Sequence, residues 1–177
     1  MIVKVGTPAP PFRAEAYRRG ESGAIQVELT AYRGRWVVLF FYPRDFTFVC
    51  PTELNAFAQL EEAFAVEDAV VIAASTDSYW SHKAWFESHP LLADVDYAVV
   101  ADTTHDVADA YDVLFPDGSA LRGTFVVAPD GILRHASVTD QNVGRSPDET
   151  LRILQALRTG ELCPVAWRKG DEVLKAA

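Results

Sequence analysis

Three short runs of almost unbroken apolar residues govern what this chain can fold into: WVVLFFY at 36–42, AVVIAAS at 69–75 and YAVVA at 97–101. A strand with one wet face alternates apolar and polar residues. Runs without that alternation, rich in β-branched and aromatic side chains, predict strands covered on both faces. TFVVA (124–128) and ILRHASV (132–138) flank Pro129-Asp130-Gly131, which predicts a hairpin.

Helical patterns lie between these runs. From 52 to 65, Leu54, Phe57, Ala58 and Phe64 make one apolar stripe, and a second helix is expected over about 80–87 with Ser78 as its cap. A third follows Thr103 and carries Val107, Ala110 and Tyr111. The clearest starts at Ser146, whose hydroxyl can cap the first turn; Pro147 suits the first helical position and Glu149 completes a capping box. Leu151, Leu154 and Leu157 form its buried stripe and Gly160 its stop. Strands alternating with helices predict an α/β fold, a central mixed sheet flanked by helices.

A chain of 177 residues suits one globular domain, and its 49% hydrophobic and 23% charged content is that of a folded one. Residues 1–12, rich in Pro and Gly, read as an extended arm. The net charge of −9 repels phosphate backbones, so nucleic acid is not an expected partner. The N-terminal residues lack the apolar core and cleavage site of a signal peptide, and the longest apolar run, 36–42, is too short to span a bilayer. A cytoplasmic protein without membrane attachment is the expectation. In a reducing compartment its two cysteines, Cys50 and Cys163, are better suited to redox chemistry or inert packing than to a structural bridge.

The stretch FFYPRDFTFVCPTEL (40–54) places Cys50 where a buried strand gives way to a helix N-terminus. Free backbone N–H groups and the positive end of the helix dipole stabilise a thiolate there. A free thiol, with a pKa of about 8.5, is only a few per cent ionised at neutral pH, and attack on an O–O bond needs the thiolate. A single cysteine in an apolar chain is more often a small buried residue. Its position beside polar Thr47, Thr52 and Glu53 argues against that. Thr47 can offer a hydroxyl to the sulfur or to a bound peroxide oxygen, and Pro43 can shield the sulfur from water. Taken singly, Thr47 reads as an ordinary turn residue and each proline as punctuation. Nothing in the sequence assigns a role to Arg44.

Pro43, Thr47 and Cys50 match the Pro-x-x-x-Thr-x-x-Cys signature of peroxiredoxins. Around them the chain resembles the typical two-cysteine branch, which includes the thioredoxin peroxidases and the peroxidase component of alkyl hydroperoxide reductase. GELCPVAW (160–167) is similar to that branch's resolving-cysteine region, and NVGRSPDETLR (142–152) to its last core helix. The resemblance implies a thioredoxin-like fold with N- and C-terminal extensions, a peroxidase domain over 1–160 and an arm over 161–177 carrying the resolving cysteine. It implies that Cys50 is peroxidatic and Cys163 resolving, with Thr47, Arg122 and Pro43 at the reacting centre and Glu53 and Arg145 supporting Arg122. It implies further a homodimer with an inter-subunit disulfide, which can assemble into a decameric ring. The substrates would be hydrogen peroxide and organic hydroperoxides. With no Cys-x-x-Cys pair, the reductant must be another protein, thioredoxin or a dedicated flavoprotein or disulfide reductase. The chain lacks the Gly-Gly-Leu-Gly segment and C-terminal Tyr-Phe pair of overoxidation-sensitive members, so resistance to overoxidation is expected.

Other chemistries fit less well. A disulfide reductase would carry a second cysteine three residues after Cys50. A cysteine hydrolase would need a histidine base, and His82, His89, His105 and His135 belong to no motif and read as surface or packing residues. The same scatter gives no metal-ligand spacing, so neither metal nor cofactor is expected. The remaining alternative is a holdase-like chaperone or redox-relay protein on the same fold, with Trp80, Trp85 and Phe86 as an apolar contact surface.

Overall fold

A computed structural model describes residues 3–175. Its centre is a seven-stranded sheet in the order β2-β1-β5-β4-β3-β6-β7. The strands are β1 (Arg13–Tyr17), β2 (Ile25–Glu28), β3 (Trp36–Phe41), β4 (Ala69–Ser75), β5 (Ala98–Ala101), β6 (Arg122–Val127) and β7 (Leu133–Thr139). β3, β4 and β5 run parallel, whereas β1 on one side and β6 and β7 on the other are antiparallel to their neighbours. The helices are α1 (Cys50–Gln59), α2 (Glu61–Val66), α3 (Tyr79–Ser88), α4 (Asp106–Ala110) and α5 (Pro147–Thr159).

The unbroken apolar runs have the predicted cause. Successive side chains of a strand point to opposite faces. Val38, Phe40 and Tyr42 enter one core with Leu54 and Phe57 of α1, Trp85 and Phe86 of α3 and Leu154 of α5. Val37, Leu39 and Phe41 enter the other with Val107 and Ala108 of α4 and Phe12 and Leu29 of the N-terminal region. Phe40 stacks on Phe57 with ring centroids 4.0 Å apart, fixing α1 over β3.

The hairpin forms as expected, closed by Gly131 N–H donating to the Ala128 carbonyl at 2.7 Å with Gly131 at φ +76°. Ser78 caps α3 and Ser146 caps α5 by accepting from the Ser81 and Glu149 N–H groups. Gly160 ends α5 in the left-handed region. The Glu149 carboxylate does not complete a capping box; it turns to Arg152, receiving Nε at 2.6 Å and Nη2 at 2.8 Å. The expected single helix over 52–65 is two helices, broken at Leu60 and restarted at Glu61, where two acidic residues favour a helix N-terminus. The N-terminal arm is extended and pairs with the hairpin, Gly6 N–H donating to the Leu133 carbonyl at 2.8 Å. β1 and β2 are additional to the strands expected from sequence.

Candidate active site

β3 ends at Phe41 and the chain crosses the carboxyl end of the parallel strands before entering α1 at Cys50. Such strand ends are where α/β sheets place their sites. Pro51 in the first turn has no N–H to satisfy, and the N-cap residue, Val49, makes no side-chain cap. Cys50 is 1% exposed.

Sheet register brings distant residues to the sulfur. In the antiparallel β3–β6 pair Phe40 lies opposite Thr124, so the start of β6 falls beside the end of β3. Arg122, the first residue of β6, thereby places Nη1 3.5 Å from Cys50 Sγ. The same Nη1 donates to Glu53 Oε2, and Nε donates to the Gln141 carbonyl at 2.8 Å. Glu53 stands one turn along α1 from Cys50, on the same helix face.

Arg145, just before α5, closes the cluster. Its backbone N–H and Nε both donate to Glu53 Oε1, at 2.7 and 2.9 Å. Nη1 donates to the Gly123 carbonyl at 2.7 Å and Nη2 to the Phe41 carbonyl at 2.5 Å. Its guanidinium also lies 5.3 Å from the Phe40 ring centroid. Burial draws the Arg145 guanidinium below its ordinary pKa, against which the Glu53 carboxylate acts by hydrogen bond and charge.

Glu53, Arg122 and Arg145 are all buried, and a buried charge is costly unless paired. Two guanidiniums face one carboxylate, so one positive charge is unbalanced within the cluster. The Cys50 sulfur stands against it.

The structure thus brings together Cys50, Glu53, Arg122 and Arg145. Pro43 is buried in the same loop and Thr47 is half-buried there. The Thr47 hydroxyl donates to the Arg44 carbonyl at 2.9 Å, inside the loop. Arg44 ties the loop to the stretch before β6 through the Asp117 carbonyl at 3.0 Å and its carboxylate at 3.3 Å. Cys163 lies elsewhere, past α5, with Sγ 3.4 Å from Thr159 Oγ1 and 3.7 Å from the Ala156 carbonyl. Both cysteines are free thiols.

Three contributions carry no signal in the sequence. The Gln141 carbonyl and Gly123 hold the arginines through backbone atoms, which leave no side-chain signature. Asp45 and His82 form a buried pair, Oδ2 to Nδ1 at 2.8 Å, with the Tyr42 hydroxyl donating to Asp45 Oδ1 at 2.7 Å. This pair pins the Cys50 loop to α3; His82 is a packing residue as expected, and a polar one. Of the aromatic trio, Trp85 and Phe86 are core residues and Trp80 alone is exposed.

Residues 5–136 match the AhpC/TSA family. The chain is 46% identical to peroxiredoxin prdx-2 of Caenorhabditis elegans over 97% of its own length and 88% of that protein's. It is 45% identical to the putative peroxiredoxin YkuU of Bacillus subtilis, covering 96% of this chain and 97% of the relative. Among solved structures, the reduced 2-Cys peroxiredoxin of Plasmodium vivax superposes with a TM-score of 0.93 at 36% identity, over 98% of this chain and 93% of that one. Mycobacterium tuberculosis AhpC gives 0.85 at 34% identity, over 95% and 100%.

Proposed function

The chain belongs to the AhpC/TSA family as a peroxiredoxin, a thiol-dependent peroxidase on a thioredoxin-like fold, and on that premise we propose that Cys50 is its peroxidatic and Cys163 its resolving cysteine. The observation that carries the first assignment is the buried Arg122 Nη1 at 3.5 Å from Cys50 Sγ, itself held by Glu53.

The Cys50 thiolate attacks one peroxide oxygen in line with the O–O bond. That bond breaks, the distal oxygen takes a proton and leaves as water or an alcohol, and Cys50 becomes a sulfenic acid. Arg122 is placed to stabilise the charge developing on the oxygens, as preorganised donors do in a water-poor site. Glu53 and Arg145 hold the Arg122 fork in plane, a task for which guanidinium geometry is suited. Thr47 can turn its hydroxyl from the Arg44 carbonyl to a peroxide oxygen, and Pro43 walls the sulfur from bulk water.

The Cys163 thiol then displaces the sulfenic oxygen as water, forming a disulfide that an external dithiol protein reduces by exchange. The reductant is thioredoxin or a dedicated flavoprotein or disulfide reductase. Residues 161–177 serve as the arm that carries this thiol, and 1–160 as the peroxidase domain. Cys163 packs on the last turn of its own α5, and its surroundings expose Leu162, Val165 and Leu174. An exposed apolar face around a reactive thiol favours a second copy of the chain as the source of the partner sulfur. The family resemblance supports the same assembly, a homodimer able to build a decameric ring.

The test is the second-order rate at which hydrogen peroxide consumes the Cys50 thiol, followed by stopped-flow fluorescence. Arg122→Gln should slow this rate by about 10²–10³-fold, the effect of losing one preorganised charge-stabilising donor. A variant as fast as the wild type would remove Arg122 from the reaction. A chaperone without turnover would consume almost no peroxide in the presence of a dithiol.

A further inference from the structure

Beyond Gly160 the chain folds back on α5. The Leu174 N–H donates to the Leu162 carbonyl at 2.8 Å, closing a loop around Trp167, which is 4% exposed. Inside it, Trp167 Nε1 donates to the Asp171 carbonyl at 3.1 Å, and Arg152 of α5 donates to the Trp167 carbonyl at 3.0 Å. Among the described residues, one polar contact joins this arm to an element other than α5. Lys169 Nζ reaches Glu67 Oε1 at 2.6 Å.

Glu67 is an unusual residue for such a contact. It stands at the C-terminal end of α2 and is only 6% exposed, while the Lys169 side chain is 60% exposed. A buried carboxylate needs partners. Glu67 has Lys169 from the arm, and from α5 it has Gln155 Nε2 at 3.1 Å and Arg158 Nε at 3.5 Å. When Lys169 departs, the two α5 partners remain and the carboxylate is not stranded. Glu67 thus has partners from α5 that do not depend on the arm.

What the closed arm holds is Cys163. Its sulfur faces the Thr159 hydroxyl and the Ala156 carbonyl at the end of α5. To meet the sulfenic acid on buried Cys50 it must leave that position.

We propose that Glu67 is a positioning residue for the resolving step: its ion pair with Lys169 latches the arm to the body and keeps Cys163 docked, so that arm release sets how fast the disulfide forms. The proposal rests on the reading of Cys163 as the resolving cysteine. In the step itself the S–S bond forms as the Cys50 S–O bond breaks, and the oxygen leaves as water with the Cys163 proton. A slow release leaves the sulfenic acid open to a second peroxide, which oxidises it to a sulfinic acid and is itself reduced to water or an alcohol.

The experiment uses the full chain with Glu67→Gln, Lys169→Met and the charge-keeping Lys169→Arg. In a Cys50→Ser background, Cys163 alkylation by a maleimide reads arm opening directly. In the otherwise wild-type chain, stopped-flow separates Cys50 oxidation from disulfide formation. Both Glu67→Gln and Lys169→Met should speed alkylation and disulfide formation by roughly two- to five-fold, the scale of one partly exposed ion pair on a two-state equilibrium. Cys50 oxidation should stay unchanged, and Lys169→Arg should behave as wild type. Lys169→Met lies on the exposed arm and keeps the test valid if Glu67→Gln folds poorly. Unchanged alkylation would overturn the latch. Faster alkylation with unchanged disulfide formation would overturn its control of resolution. A wild-type chain that forms no disulfide with peroxide would overturn the reading of Cys163, and with it the proposal, whatever alkylation reports.

Discussion

At Gly123 the backbone passes too close to its neighbours for any side chain. A Cβ there would lie 2.7 Å from Val113 Cγ1 and 2.8 Å from Phe125 Cε2. The position also follows Arg122 directly, and its carbonyl receives Arg145. Gly123→Ala should therefore cost about 1–3 kcal/mol through overpacking, and should also slow peroxide reduction by displacing both arginines. Urea denaturation and stopped-flow oxidation measure the two effects, and a variant unchanged in both would contradict this view of the corner. At this scale the sequence was legible only in part. Cys50 announced itself by its place at a strand-to-helix junction. Arg122, Glu53 and Arg145 came from resemblance, because 69 residues separate Arg122 from Glu53 and 92 separate Glu53 from Arg145, and only the folded sheet, with its β3–β6 register, brings them together. Gly123 and the Gln141 carbonyl act through the backbone and carry no chemical signal of their own.

Among the elements, α5 connects the two cysteine regions: Arg145 precedes it and Cys163 follows it. Its start depends on Ser146, so Ser146→Ala should lower stability by about 1 kcal/mol, the usual value of an N-cap; the urea midpoint reports it, and no change would mean that packing alone holds this end. Its other end meets Glu67. Burial raises the pKa of that carboxyl, but hydrogen bonds from Lys169 and Gln155 and the charges of Lys169 and Arg158 outweigh it together, leaving the pKa below the ordinary glutamate value. A carboxylate pKa lowered by folding contributes stability that is fully present above the unfolded value and lost as pH falls through the folded one. The stability difference between wild type and Glu67→Gln should accordingly shrink as pH falls below the ordinary glutamate range; a difference that stays constant in acid would contradict the pairing. The strands β3, β4 and β5 were legible because both of their faces are buried. β1 and β2 were not, since RAEAY and IQVE are short and mixed with charges. The break at Leu60 has no Gly or Pro to mark it, and only the acidic pair Glu61 and Glu62 hints at a new helix start.

For the molecule as a whole, the mixed sheet buries one face under α1, α3 and α5 and the other under α4 and the N-terminal region, leaving the Cys50 corner at the strand ends and Cys163 beyond α5. A docked Cys163 amid exposed Leu162, Val165 and Leu174 fits a thiol that serves a neighbouring copy. The central claim is that Cys50 and Cys163 act together, and it is tested most directly by adding one equivalent of hydrogen peroxide to the reduced chain. Non-reducing electrophoresis and intact mass are then read alongside Cys50→Ser and Cys163→Ser. A disulfide-linked dimer should form from the wild type and from neither variant. Thiols left unchanged by peroxide would contradict the claim.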